Sequence, residues 1–351
     1  METYRAALVG LTGIGSGRPS AHPLAAAPRS HTAAYYHHPQ TDLVAVCDKN
    51  HAALDQFRET WQDVWPDMKY YQDYREMLGS AQPDLLSIAT SDHAHADIAV
   101  EGALGSPRAI LCEKPIATTL ADADRMIAAC SENQTLLSVE HTRRWDPTFL
   151  RARQLIQSGE LGPLRTIVAE MFSPRAMLMR NGTHVIDLFS FFADADARPQ
   201  WLVGELEEGF ESYESYSGDG GRDPDQDPSA SAFIRYSKGL RIFLNMYKTA
   251  MPGWQMQITC DKGRLEMSDR SARLIRPQSH YDWPVSDLDV GCYLYTHQLG
   301  AVNELVEAIE GHRELICSGI EARKALEIAL AIMQSNARGS QPIKFPLTAD
   351  E

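Results

Sequence analysis

The chain has 351 residues, 44% of them apolar and 23% charged, with a formal net charge of −14. That length allows two domains or one large α/β unit, and the composition is that of a globular protein. The acidic balance argues against nucleic acid or an anionic membrane as the main partner, because either would repel it.

No stretch reaches the roughly 18 apolar residues that a membrane span needs. The start, Met1-Glu2-Thr3-Tyr4-Arg5, lacks the basic and apolar regions of a signal peptide, so a cytoplasmic protein is expected. Cys47, Cys112, Cys130, Cys260, Cys292 and Cys317 form no CxxC pair and read as reduced thiols.

In chain order, residues 6–10 form a short apolar strand that opens into the turn Gly10-Leu11-Thr12-Gly13-Ile14-Gly15-Ser16-Gly17. Loop-like Arg18-Pro19-Ser20-Ala21-His22-Pro23 follows, then a helix over about 30–38 that Pro39 stops. Strand 43–47 ends at Asp48. Helix 52–61, strand 69–71 and helix 74–78 come next, then core strand 84–89. Thr90-Ser91-Asp92-His93-Ala94-His95 leads into helix 96–104.

The stretch Ala109-Ile110-Leu111-Cys112-Glu113-Lys114-Pro115 ends another buried strand. Pro115 has no amide proton and a fixed φ, so the strand stops there and Lys114 sits at its carboxyl end. A helix over 120–131 starts after Thr118 or Thr119, in a Thr-Leu-Ala-Asp run resembling a capping box. Strand 136–140 closes this part. Alternation of continuous apolar strands with helices predicts an α/β domain, a parallel sheet with helices on both faces.

After His141-Thr142-Arg143-Arg144-Trp145-Asp146-Pro147 the pattern changes. Helix 148–158 precedes alternating strands at 164–172, 232–236, 240–247, 255–259 and 263–267. This half reads as α+β with a largely antiparallel sheet. Residues 212–231, rich in Ser, Gly, Asp and Pro, read as an exposed loop. Helices at 298–310 and 319–336 and a strand at 343–345 end the chain. The expected division is 1–145 for the first domain and 146–351 for the second.

A strand, a glycine turn, a helix and a second strand ending in an acid make the dinucleotide-binding arrangement. The register G-x-G-x-x-G falls on Gly10, Thr12 and Gly15, with the middle glycine replaced. Asp48 lies further on than the roughly 20 residues expected, which calls for an insertion around 17–29. An acid there accepts ribose hydroxyls and disfavours a 2′-phosphate, so NAD is preferred, with NADP kept open by Lys49.

These stretches, taken with Ile88-Ala89-Thr90, Cys112-Glu113-Lys114-Pro115-Ile116-Ala117, Arg143-Arg144-Trp145, Gly159-Glu160-Leu161-Gly162, Gly182-Thr183-His184-Val185-Ile186-Asp187 and Ser335-Asn336-Ala337-Arg338-Gly339, resemble the Gfo/Idh/MocA oxidoreductases. These are glucose-fructose oxidoreductase, inositol dehydrogenase and their relatives. The resemblance implies an N-terminal Rossmann domain and a C-terminal α+β domain with a large, mostly antiparallel open sheet. It also implies a nicotinamide dinucleotide, a sugar, inositol or related polyol or sugar-acid substrate, and a homo-oligomer, dimer or tetramer.

On this resemblance Gly10, Thr12, Gly13, Ile14, Gly15, Asp48, Thr90, His95, Glu113 and Lys114 are the cofactor candidates. Lys114, Arg144, Trp145, Arg180 and His184 are the substrate candidates. Lys114 and His184 carry the catalytic roles, the lysine polarising the substrate oxygen and the histidine acting as base. Asp187, one helical turn beyond His184, reads as structural. Arg143-Arg144-Trp145 fits a pocket border or an interdomain anchor equally. The first acid of the family's D-x-x-x-H-x-x-D pattern falls on Arg180, which would disfavour protonation of His184 and could bind a substrate carboxylate or phosphate.

No metal is expected, because His37-His38 and His93 with His95 lack ligand partners at suitable spacing. Two other readings stand beside the dehydrogenase. One is a non-redox enzyme using tightly held NAD for glycosidic cleavage or epimerisation. The other is a dinucleotide-binding regulatory protein.

Overall fold

Two sheets organise the chain, each in its own unit. The computed structural model describes residues 2–19, 28–219, 221–268 and 271–347. One unit joins Met1–Trp145 with Leu294–Arg323, and the other joins Asp146–Tyr293 with Lys324–Glu351.

The first unit is built on β1 (Tyr4–Val9), β2 (Thr41–Cys47), β3 (Lys69–Tyr71), β4 (Leu85–Ile88), β5 (Ala109–Cys112) and β6 (Leu136–Val139). They form one parallel sheet in the order β3-β2-β1-β4-β5-β6. Every residue of β4 and β5 is buried, as helices on both faces require. Those helices are α1 (His31–His37), α2 (His51–Trp61), α3 (Tyr74–Ala81), α4 (His95–Leu104) and α5 (Leu120–Glu132). Thr119 caps α5, its side chain accepting from the Asp122 amide at 3.1 Å, as the Thr-Leu-Ala-Asp run predicts. Strand order reverses between β1 and β4. In such sheets that is where a crevice opens at the carboxyl ends.

The second unit contains α6 (Pro147–Gln157), α7 (Thr183–Phe192) and a nine-stranded sheet. Its strands are β7 (Leu164–Phe172), β8 (Pro199–Leu206), β9 (Ala230–Tyr236), β10 (Arg241–Tyr247), β11 (Gly253–Cys260), β12 (Gly263–Ser268), β13 (Ala272–Ile275), β14 (Val285–Asp287) and β15 (Ile343–Lys344). All neighbours pair antiparallel except β7 and β10, which run parallel. In β10, Ile242, Leu244 and Met246 are buried and the residues between them are exposed, so one face of the sheet is packed. Phe149 of α6 stacks on Trp254 of β11, with ring centroids 5.3 Å apart.

Sequence periodicity does not reveal β8, β13 or β14. Gly204 interrupts the alternation of β8, and the other two strands are short and largely exposed. The expected exposed loop at 212–231 holds in part, with no helix or strand over 212–219 and 221–223. Tyr216, Asp227 and Ser229 are buried, and β9 already begins at Ala230.

The boundary after residue 145 omits one return of the chain. Helix α8 (His297–Ile309) packs on α1, β5 and β6, within the first unit, and α9 (Gly319–Ala337) runs on from it. Glu304 of α8 is buried, pairs with Arg313 at 3.0 Å and accepts from the Ile316 amide at 3.1 Å. Burial pushes its carboxyl up to about 7, against the pull of Arg313. A carboxyl with a raised folded pKa binds its proton more tightly in the folded state. Its stabilisation is present at low pH and is lost as pH rises from the unfolded range near 4.5 through about 7. Thermal melts between about pH 5 and about pH 8 should therefore show stability falling by up to about 1.4 kcal/mol per pH unit for this proton. Glu304→Gln should remove part of that slope, and an unchanged slope in the variant would refute the assignment.

Candidate active site at the sheet's carboxyl edge

The glycine turn is shaped by close backbone approach. Gly10 follows β1 with φ +94°, and a Cβ there would lie 2.4 Å from the Ala89 carbonyl oxygen at the end of β4. A Cβ on Gly15 would lie 2.2 Å from the Gly10 carbonyl oxygen. Gly13 also has a positive φ, +54°, but no atom lies within 4 Å of where its Cβ would stand. Two of the glycines thus serve packing, and the third leaves open backbone.

Helix α1 begins at His31, yet it continues the turn. The His31 amide donates to the Ile14 carbonyl at 3.0 Å and the Thr32 amide to the Gly15 carbonyl at 3.1 Å. The intervening chain is the insertion that the distant Asp48 called for, and residues 20–27 of it lie outside the described residues. Its flanks are pinned. Ser30 Oγ donates to the Gly17 carbonyl, Trp61 Nε1 donates to Ser16 at 2.8 Å, and the Arg18 guanidinium lies 4.6 Å from the Trp61 ring centre and pairs with Asp63.

Asp48 stands at the end of β2, half-buried. Its carboxylate accepts from the Leu11 amide and the Asn50 amide, each at 2.9 Å. It therefore ties the second strand to the glycine turn. Open backbone at Gly13 and a carboxylate at the neighbouring strand end are the two features that a dinucleotide's pyrophosphate and ribose require. The fold thus brings Gly10, Thr12, Gly13, Ile14, Gly15 and Asp48 together at the end of β1 and β2.

Lys114 lies two residues beyond β5, 5% exposed, in a cis peptide with Pro115. His95, wholly buried, places Nδ1 2.9 Å from the Pro115 carbonyl and Nε2 3.3 Å from the Thr90 carbonyl. It clamps the lysine turn to the end of β4. Glu113 belongs to the same turn. Its carboxylate is buried, with Oε2 accepting from the Lys114 amide at 3.2 Å and Oε1 lying 3.4 Å from His31 Nε2.

His31 Nε2 also lies 3.2 Å from Glu140 Oε2, and its Nδ1 lies 3.0 Å from Ser87 Oγ, which Tyr35 joins at 2.7 Å. Sequence reasoning gave no role to His31 or Glu140. The available signal was a charged residue directly after the apolar run 136–139 and a histidine at a helix start.

Arg144 and Trp145 are buried in the first unit. Arg144 donates to the Ile316 carbonyl at 2.5 Å and approaches Glu321 at 3.5 Å. These contacts are those of an anchor for the returning segment.

In the second unit, a single π-helical stretch, Leu178–Gly182, leads into α7, and His184 stands half-buried in the first turn of that helix. Such π stretches cluster at functional sites. Asp227 accepts from the Met179 amide at 3.1 Å and the Arg180 amide at 2.9 Å. This carboxylate folds the 212–231 segment onto the π stretch, and the sequence showed it only as one acid among many. The Arg180 stem packs against Gly221, where a Cβ would lie 2.5 Å from its Cγ. Asp187 is fully buried.

Among the described residues no helix is long and apolar enough to cross a membrane. Residues 5–141 match the family model described as oxidoreductase family, NAD-binding Rossmann fold. Inositol 2-dehydrogenase of Salmonella paratyphi B is 26% identical over 278 residues, covering 71% of this chain and 74% of that protein. D-apiose dehydrogenase of Paraburkholderia graminis is 31% identical over 177 residues, 46% of each chain. The solved WlbA dehydrogenase from Bordetella pertussis, in complex with NADH and UDP-GlcNAcA, superposes with a TM-score of 0.75 at 20% identity, covering 99% of this chain and 100% of that one. Residues 5–141 thus match the NAD-binding Rossmann domain of the Gfo/Idh/MocA oxidoreductases.

Proposed function

We propose that the protein oxidises a secondary alcohol of a sugar, inositol or related polyol or sugar acid, with NAD preferred over NADP. The observation that carries this reading is a nearly buried lysine at the carboxyl end of β5, beside the strand-order reversal that the glycine turn and Asp48 border. The names of the relatives, which act on inositol and D-apiose, support the substrate class. When bound, the nicotinamide supplies the hydride acceptor.

The chain's own residues supply the rest. Glycine backbone and Asp48 hold the dinucleotide. The Lys114 ammonium, screened from water, donates to the substrate oxygen and stabilises the negative charge that grows there. His184 takes the hydroxyl proton, and Arg180 offers charge to a carboxylate-bearing substrate.

Purified protein mixed with NAD or NADP and a panel of sugars, inositols and sugar acids should raise the reduced-nicotinamide absorbance with at least one member, and faster with NAD. Turnover without that rise would replace the dehydrogenase by the non-redox reading. Tight NAD binding without any turnover would replace it by the regulatory one.

A further inference from the structure

Three metal-ligating side chains of the first unit converge where the start of α1 meets the ends of β5 and β6. His31 Nε2 and a carboxylate oxygen each of Glu113 and Glu140 lie within 4.8 Å of one another. Nε2 is 3.2 Å from Glu140 Oε2 and 3.4 Å from Glu113 Oε1. His31 and Glu140 are wholly buried, and Glu113 is 4% exposed. His31 opens α1, while Glu113 and Glu140 each directly follow the last residue of a strand. The parallel pairing of β5 with β6 therefore sets the two carboxylates side by side.

A proton on Nε2 does not satisfy this set. A charge-assisted N–H···O bond closes to about 2.7–2.9 Å, and both separations here are longer. Only Glu113 has hydrogen-bond geometry to the ring. Neither oxygen of Glu140 has a hydrogen-bond partner among the described residues, although both are shut off from solvent. A buried carboxylate in that state is costly. The other ring nitrogen is provided for. Nδ1 lies 3.0 Å from Ser87 Oγ, which Tyr35 holds at 2.7 Å. With the ring proton on Nδ1 and donated to Ser87, the Nε2 lone pair is left for the carboxylate side. A histidine oriented by a hydrogen bond at one nitrogen is what a metal ligand requires at the other.

We propose that His31, Glu113 and Glu140 bind one divalent cation of the zinc class as a structural site. Bonds of about 2.1 Å in a tetrahedron set ligand-to-ligand distances of about 3.4 Å. The separations of 3.2 and 3.4 Å from Nε2 fit that edge. One imidazole with two carboxylates suits zinc and its first-row neighbours, whereas calcium and magnesium take all-oxygen sets. Glu140 Oε1, also without a hydrogen-bond partner, can complete the shell by bidentate binding.

The cation acts as a staple. Glu113 Oε2 accepts from the Lys114 amide at 3.2 Å, so a metal on Oε1 fixes the backbone of the lysine turn to α1 and to the end of β6. Spacing in the sequence gives no hint of the site, because His31 and Glu113 stand 82 positions apart.

The test uses untagged full-length protein from cells grown in minimal medium with added Zn²⁺ or Co²⁺, since an enclosed site loads as the chain folds. After gel filtration in metal-free buffer, mass spectrometry should find metal equimolar with protein. X-ray absorption at the zinc edge should show one imidazole and oxygens at about 2.0–2.2 Å. The cobalt form should show the visible bands of a nitrogen and oxygen donor set. Glu140→Gln and His31→Gln should each retain at least about tenfold less metal. Metal-free wild type would overturn the proposal. So would a thiolate charge-transfer band in the cobalt form, which would put the metal on a cysteine, or undiminished metal in either folded variant. Should both variants fail to fold, the wild-type metal content and spectra decide alone. These readouts need neither dinucleotide nor polyol, so failure of the proposed dehydrogenase and failure of the metal site are told apart.

Discussion

Lys114→Ala is expected to lower kcat for NADH formation by about 10²–10³-fold, the scale set by removing a charge-stabilising donor from a water-poor site. NAD affinity should change far less, because the glycine turn and Asp48 lie on other strands. The lysine is 5% exposed, so its ammonium acts where the effective dielectric is low and its field is weakly screened. Truncation also removes a positive charge that favours the ionised form of the buried Glu140 carboxyl, and some loss of stability accompanies the loss of rate. Lys114→Met separates the two effects, since it keeps the stem and deletes the charge. Lys114→Arg should not restore the rate, because a planar fork does not replace a compact ammonium in an enclosed turn. Steady-state rates with calorimetric NAD titrations of each variant decide the matter. A Lys114→Ala protein turning over at near the wild-type rate would remove the lysine from the chemistry.

The second large effect is expected at Gly10 and contrasts with Gly13. Ala at Gly10 combines a positive φ with a Cβ 2.4 Å from the Ala89 carbonyl oxygen and 2.8 Å from the Thr90 nitrogen. Those are backbone atoms of the β4 end, held by the sheet, so they cannot yield as a flexible side-chain tip would. Gly10→Ala should therefore destabilise the first unit by roughly 3–4 kcal/mol and lower Tm by roughly 10 °C. Ala at Gly13 meets no atom within 4 Å. It should cost only about 1 kcal/mol for its conformation while weakening NAD binding, since the added methyl occupies the open backbone. Melting curves and NAD titrations of the two variants should separate packing from binding. Equal Tm losses, or unchanged NAD affinity in Gly13→Ala, would contradict the division of roles.

Much of the first unit was legible in the sequence. Continuous apolar strands, the Gly10–Gly15 turn, Asp48 and the Lys114-Pro115 stop each express a local rule: burial on both faces, positive φ, or a missing amide proton. Even the insertion before α1 followed from local spacing, because an acid too far along the chain requires a detour. Thr119 capped its helix for the same kind of reason, a side chain bonding an amide three residues on.

What only the tertiary structure decided depends on residues far apart in sequence. Glu113 is a cofactor candidate through the resemblance, and the fold adds that its carboxylate lies 3.4 Å from His31 of the first helix. His95 is 20 residues from the carbonyl it holds, and Asp227 is 47 residues from the Arg180 amide it accepts from. No periodicity records such pairs. Burial of a charge is a property of everything packed around it, so the sequence gives Glu140, the last residue of the expected strand 136–140, no partner. Only the fold shows that it meets a histidine from the first helix, 3.2 Å away.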